Sequence, residues 1–203
     1  MQRHLVIFAR APRLGTVKRR LAREAGALTA LRFHRLTAAR LLWRLAPDPR
    51  WTTWLALTPD RAADDPLGCW RAPLQRLPVR AVSQGGGDLG RRLARTFRRG
   101  PPGPVVVVGS DIPEIGRTDV AAAFDALGRA DAAIGPADDG GYWLIGLRRR
   151  PRTVTPFDGV RWGGPHALAD TVANLGRSGL TVARLATLSD VDTAADLRSR
   201  YFR

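Results

Sequence analysis

The chain carries 33 basic side chains, and every one is arginine except Lys18, in ARAPRLGTVKRRLA at residues 9–22. Lysine is a compact point charge, while arginine is a wide planar fork. Where composition drives lysine towards arginine, the survivor marks a place where exchange is costly. Its neighbours suit an anion. Gly15 permits close backbone approach, and Arg10, Lys18 and Arg20 bring positive charge to a turn that opens a helix. The GxxxxGK[ST] spacing of a P-loop is absent.

Four further stretches carry groups that could bind or react. SQGGGDLGRRL (83–93) exposes backbone amides at Gly87 and Gly90, and Gln84 adds a side-chain amide. Such a loop can read a nucleobase edge; a plain turn with Asp88 capping the next helix is the competing reading. VVVVGSDIP (105–113) sets Asp111 at the end of an apolar run, a suitable ligand for a divalent cation that takes one or two carboxylates plus phosphate oxygens and water. SDVDTAADL (189–197) supplies Asp190 and Asp192, which point the same way if the segment is extended. Either could complete a metal site with Asp111, or Asp192 and Thr193 could simply start the last helix. In GPADDGGYWLIGL (135–147), Gly140 and Gly141 would let a substrate lie against backbone near Asp139, with Tyr142, Trp143 or Trp162 lining the pocket. A tight hairpin turn explains the same residues. His4, His34 and His166 have no metal-ligand spacing, and no catalytic role is expected of them. Ser110 lacks a triad pattern, and Cys69 lies in a polar loop.

These groups need elements to hold them. Short apolar runs at 4–9, 51–58, 77–83, 105–111, 131–137 and 180–186 read as strands, and DDGGYWLIGL (138–147) as a turn into another strand. Helical patterns occupy 18–25, 28–46, 89–99, 117–128, 165–179 and the C-terminus from Thr193, a candidate N-cap. PDRAADDPLG (59–68) reads as a loop. Four valines in a row at 105–108 predict a strand buried on both faces. Alternating strands and helices predict a three-layer α/β/α sandwich with a mostly parallel central sheet, folded as one domain over 1–203. In such sheets ligands bind beyond the carboxyl ends of the strands, where these candidates fall.

Composition narrows the function classes. The net charge of +15 invites a nucleic-acid reading. The excess is nearly all arginine, however, and it is spread along the chain at 19–23, 91–99 and 148–152. That predicts weak, salt-sensitive polyanion binding and no specific nucleic-acid partner. No apolar run reaches 18 residues, so no membrane span is expected. The apolar core of the N-terminus is too short for a signal peptide, and the expected location is cytoplasmic. One cysteine rules out an internal disulfide.

FARAPRLGTVKRRLA, QGGGDLGRRL, GSDIP, GPADDGGYWLIGL, FDGVRW and LSDVDTAADL occur in the order seen in the DUF2064 family, which this chain resembles over nearly its whole length. Members are called glycosyltransferase-A-like or radical-SAM/selenodomain-associated transferases, and the family is similar in fold to nucleotide-diphospho-sugar transferases. The resemblance implies a nucleotide or nucleotide-sugar donor, a small-molecule acceptor, Mg2+ or Mn2+, and transfer at a phosphate or an anomeric carbon. It implies Lys18 and Arg20 as phosphate ligands, the Gln84–Gly90 loop near the base, Asp111 as metal ligand and Asp190 and Asp192 as the distal metal carboxylates. This sequence departs from the family at Arg19, where threonine is usual, and at Gly163, where serine or threonine is usual. Three readings follow: nucleotidyl transfer, where the basic loop suits a triphosphate; glycosyl transfer, where Asp139 serves as base or orienter; and nucleotide or nucleic-acid binding without turnover.

Overall fold

The computed structural model describes residues 1–150 and 153–201, without the side chains of residues 67, 71–74, 200 and 201. Part of the charge run at 148–152 therefore lies outside the described residues.

The strands are β1 (His4–Arg10), β2 (Thr52–Thr58), β3 (Val79–Ser83), β4 (Val105–Gly109), β5 (Ala132–Pro136), β6 (Tyr142–Leu147) and β7 (Val182–Arg184). They form one sheet in the order β3-β2-β1-β4-β6-β5-β7. Every neighbouring pair is parallel except β6, which runs antiparallel to β4 and β5. The strand order reverses between β1 and β4, which opens a crevice beyond their carboxyl ends. The valine run sits where its composition demands, in central β4, with each valine at most 4% exposed.

The helices are α1 (Arg19–Ala25), α2 (Ala27–Leu45), α3 (Arg61–Asp64), α4 (Pro66–Arg76), α5 (Leu89–Arg99), α6 (Arg117–Ala126), α7 (Ala167–Arg177) and α8 (Ala194–Tyr201). Odd-numbered β1 residues Leu5, Ile7 and Ala9 join Leu41, Leu42, Leu45 and Phe124 of α2 and α6 in one core. Even-numbered Val6, with Ala56 and Val107, joins Leu93 and Phe97 of α5 and Leu175 of α7 in the other. The period-2 alternation of the strands thus makes the three layers. A third cluster of Leu21, Phe33, Val191 and Ala194 fastens α1 and the start of α8 to α2.

Segment 59–68, expected as a loop, begins two helices. Pro66 occupies the first turn of α4, and Asp65 accepts the Gly68 N–H at 3.0 Å. Asp and Pro signal turns, but they equally signal helix starts. Strands β3, β4, β5 and β7 are shorter than expected, β4 ending at Gly109 and β5 spanning Ala132–Pro136. β3 begins after Pro78, which has no N–H to give to a ladder, and β7 keeps only three residues. Thr193 does cap α8: its Oγ1 accepts the Asp196 N–H at 3.1 Å, while Asp196 accepts the Thr193 N–H at 2.8 Å.

Candidate active site

Lys18 ends the loop after β1 in a left-handed conformation (φ 44°, ψ 58°). A non-glycine residue there stores strain of about 1–2 kcal/mol. What that strain secures is the direction of the side chain, which turns inward and is only 5% exposed. Its Nζ lies 2.8 Å from Asp192, 3.1 Å from Asp111 and 3.9 Å from Asp190. Four candidates from three distant stretches therefore meet at one ammonium. Arg20 stands outside them, largely exposed, with Nη1 3.8 Å from Asp192.

Each carboxylate is held from behind. Asp111 follows β4 at the strand reversal. Asp190 and Asp192 lie between β7 and α8, and the start of α8 is fixed by the Thr193–Asp196 box and by Glu24 of α1, whose Oε2 accepts the Ala194 N–H at 2.8 Å. Ser189 donates to Asp138, tying this segment to the turn before β6.

The charges perturb one another. Burial works against ionising Lys18, but Asp111 and Asp192 overcome it and raise its pKa. Burial likewise works against Asp111, yet Lys18 and His34 hold its carboxyl well below the usual range. Asp190 is pushed up to about 6, first by burial and then by Asp192, with Lys18 pulling the other way. Three carboxylates around one ammonium leave a surplus of negative charge.

His34 escaped sequence reasoning. It is a buried residue of α2, its Nε2 2.8 Å from the Arg10 carbonyl oxygen and its Nδ1 3.7 Å from Asp111. The available signal was position: His34 falls on the same α2 face as buried Phe33, Ala38 and Leu41. Glu24 was missed too, because its partner lies 170 residues away.

Two cavities meet at Asp111. One, of about 320 Å³, is lined by Arg10, Thr16, Lys18, His34, Gln84 and Ser110 among others. The other, of about 220 Å³, is lined by Asp139, Gly141, Tyr142, Trp162, Gly163 and Asp190 among others. Leu89, Gly109 and Asp111 belong to both walls. Two ligands could thus lie side by side with Asp111 between them.

Not every nominated residue faces these cavities freely. Gln84 is buried, and its amide nitrogen donates to the Ala9 and Ala56 carbonyl oxygens at 3.2 and 2.8 Å, so that donor is already committed to the strand ends. Asp88 caps α5, accepting the Arg91 N–H at 2.8 Å. Gly90 is where α5 packs on the 157–162 segment: a Cβ would lie 3.0 Å from Trp162 Nε1 and 3.1 Å from the Phe157 carbonyl oxygen. Gly140, at φ 83°, packs on the Pro165 backbone, where a Cβ would come within 2.4 Å. Its space is therefore filled by the chain itself. Gly15 lies in an open turn at φ 75°, and Gly87, at φ 99°, lies against Arg91. Asp139 Oδ1 accepts the Gly141 N–H at 2.9 Å. Tyr142 stands edge-on to Trp162, ring centroids 6.2 Å apart, and burial raises its phenol pKa. Trp143 donates to the Ala186 carbonyl oxygen and is core, 3% exposed. Gly163 has φ 77°, a conformation serine and threonine adopt poorly, which gives its departure from the family a backbone reason.

Comparison with known proteins agrees with this architecture. The family model described as "Uncharacterized protein conserved in bacteria (DUF2064)" matches residues 41–164. No curated protein matches the chain. A candidate nucleotide-diphospho-sugar transferase from Desulfovibrio desulfuricans G20 is 34% identical, with TM-score 0.87, over 99% of this chain and 87% of that one. Two more distant structures share the fold. CMP:2-keto-3-deoxy-manno-octonic acid synthetase, complexed with CTP, is 13% identical, with TM-score 0.57, over 98% of this chain and 96% of that one. Rv0371c from Mycobacterium tuberculosis H37Rv, in complex with manganese, is 22% identical, with TM-score 0.51, over 98% of this chain and 97% of that one. The fold is that of nucleotide-diphospho-sugar transferases and cytidylyltransferases, and the chain belongs to the DUF2064 family.

Proposed function

We propose that this protein is a metal-dependent transferase that takes its transferred group from a nucleotide. The observation that carries the reading is Asp111, a carboxylate shared by two adjoining cavities and paired with Lys18 at 3.1 Å. The nucleotide occupies the cavity lined by Arg10, Lys18 and Gln84. The acceptor occupies the one lined by Asp139, Gly141, Tyr142 and Trp162, where Asp139 acts as base or orienter.

The donor chemistry fits a hard cation. Asp111, Asp190 and Asp192 offer carboxylate oxygens around a place that already holds positive charge. Among the described residues, no group of three or more His, Cys, Asp or Glu forms a ready-made metal cage. Mg2+ or Mn2+ would be held by one or two of the carboxylates of Asp111, Asp190 and Asp192 and otherwise by phosphate oxygens and water. When bound, the ion offsets charge on the phosphates. Lys18 supplies a second cation at the same place and keeps the carboxylates together. Arg10 and Arg20 add positive charge at the rim, and Gln84 fixes the strand ends against which a base would stack. Little covalent chemistry is asked of the protein; positioning and electrostatic stabilisation suffice.

A thermal-shift panel tests the reading: each NTP, NDPs, and UDP- and GDP-sugars, with and without Mg2+ or Mn2+, beside a DNA control. A ligand at about 100 times its Kd adds about 2.7 kcal/mol, a shift of roughly 5–10 °C for a domain of this size. A metal-dependent shift with one NTP assigns nucleotidyl transfer. A shift only with an NDP-sugar or NDP assigns glycosyl transfer. A salt-sensitive response to DNA alone overturns both.

A further inference from the structure

A cavity of about 690 Å³ does not touch the acidic cluster. It is a groove on the α5 side of the sheet, alongside β1, β2 and β3. Its floor is apolar: Val6 and Trp54, which pair across β1 and β2, with Val82 and Val105. Its wall is cationic, built by Arg95 and Arg99 of α5. Arg80 adds a third cation, its Cζ 5.3 Å from the Trp54 ring centroid. The one carboxylate among the described lining residues is Asp60, and its Oδ1 already accepts the Gly85 N–H at 2.9 Å. Apolar floor, indole and guanidinium wall therefore stand together, with Asp60 the one lining carboxylate against the cations of Arg95, Arg99 and Arg80.

We infer that this groove is a second binding site, for a small organic anion with an apolar planar body, such as an aryl carboxylate, sulfonate or phosphate. The body lies on Val6, Val82 and the indole of Trp54, and the anionic group faces Arg95 and Arg99. Guanidinium forks suit such oxyanions in direction as well as charge. Arg95 gives the groove a link to the glycine loop. Its Nη1 donates to the Gln84 carbonyl oxygen at 2.7 Å and its Nη2 to that of Gly86 at 3.1 Å, so a bound anion shares this guanidinium with the loop. The groove stands apart from the nucleotide reading and does not depend on it.

The probe is 8-anilinonaphthalene-1-sulfonate, titrated by fluorescence against the folded full chain. Val82→Trp fills the groove, Arg99→Ala removes one exposed cation from its wall, and Arg129→Ala removes an exposed cation elsewhere. Saturable binding is expected in wild type and Arg129→Ala, with about tenfold weaker binding in Arg99→Ala, the equivalent of one lost charge-assisted hydrogen bond. Binding should be abolished in Val82→Trp. Absence of saturable binding to wild type overturns the proposal. So does wild-type affinity in both groove variants. Loss in Val82→Trp alone would mean an apolar pocket without anion recognition, and loss in Arg99→Ala alone a surface charge without a pocket; either result also overturns it. Arg99 is exposed, so its variant keeps the test decisive even if Val82→Trp does not fold.

Discussion

Replacing Lys18 by methionine isolates the charge at the centre of the candidate site. Methionine keeps an unbranched apolar stem and carries the same penalty at φ 44°, so the backbone strain cancels. What disappears is the ammonium at 2.8, 3.1 and 3.9 Å from three carboxylates. At an effective dielectric of about 20, one such pair interacts by roughly 4–6 kcal/mol before desolvation is counted. Removing one partner of a buried ion pair costs about 3–5 kcal/mol. The aspartates keep 31–45% of their side-chain surface open, so water compensates in part. The low end applies, about 3 kcal/mol, or a fall in Tm of about 6–12 °C. Thermal unfolding followed by circular dichroism in EDTA reads this directly. Excess Mg2+ should recover more of the loss in Lys18→Met than it adds to wild type, because a cation can then replace the ammonium. If Lys18→Met in EDTA melts with wild type, Lys18 is not the counter-ion of the cluster and the reasoning fails.

Other expectations concern what holds the site. Gly140→Ala should cost about 2–4 kcal/mol, because its φ is 83° and a Cβ would strike the Pro165 backbone. Gly86→Ala, with nothing near its Cβ, should be close to neutral; equal urea midpoints for the two would contradict the packing. Thr193→Ala should cost about 1 kcal/mol by removing the α8 cap, measured by the same midpoints. Acid should destabilise the chain through Asp48, held below the ordinary carboxylate range by Arg50, and Asp131, held there by Thr181 and Arg148. Since both folded-state values are depressed, that stability is fully present above the ordinary pKa of about 4 and is lost as pH falls below it. Asn at either position should flatten the acid limb of a Tm–pH curve.

The strand pattern and the order of motifs made the layers and the sheet legible in the sequence, because period-2 burial and a four-valine run survive any tertiary detail. Asp111, Asp190, Asp192 and Lys18 were legible as candidates because each follows a strand. That they meet at one ammonium was not, since nothing local encodes a contact between residues 18 and 192. The same holds for Glu24 on Ala194 and for His34 behind Asp111. Gly90 and Gly140 were misleading in an instructive way. Glycine signals close approach, but sequence cannot say whether substrate or chain approaches, and here Trp162 and Pro165 do. Asp65 and Pro66 misled similarly, since turns and helix starts use the same residues.

The most direct test of the account is metal-dependent nucleotide binding by wild type and Asp111→Asn, side by side. A nucleotide-induced Tm rise that requires Mg2+ or Mn2+ is expected in wild type, and none in folded Asp111→Asn with or without metal. Equal nucleotide responses in the two proteins, or no response to any nucleotide in wild type, would contradict it.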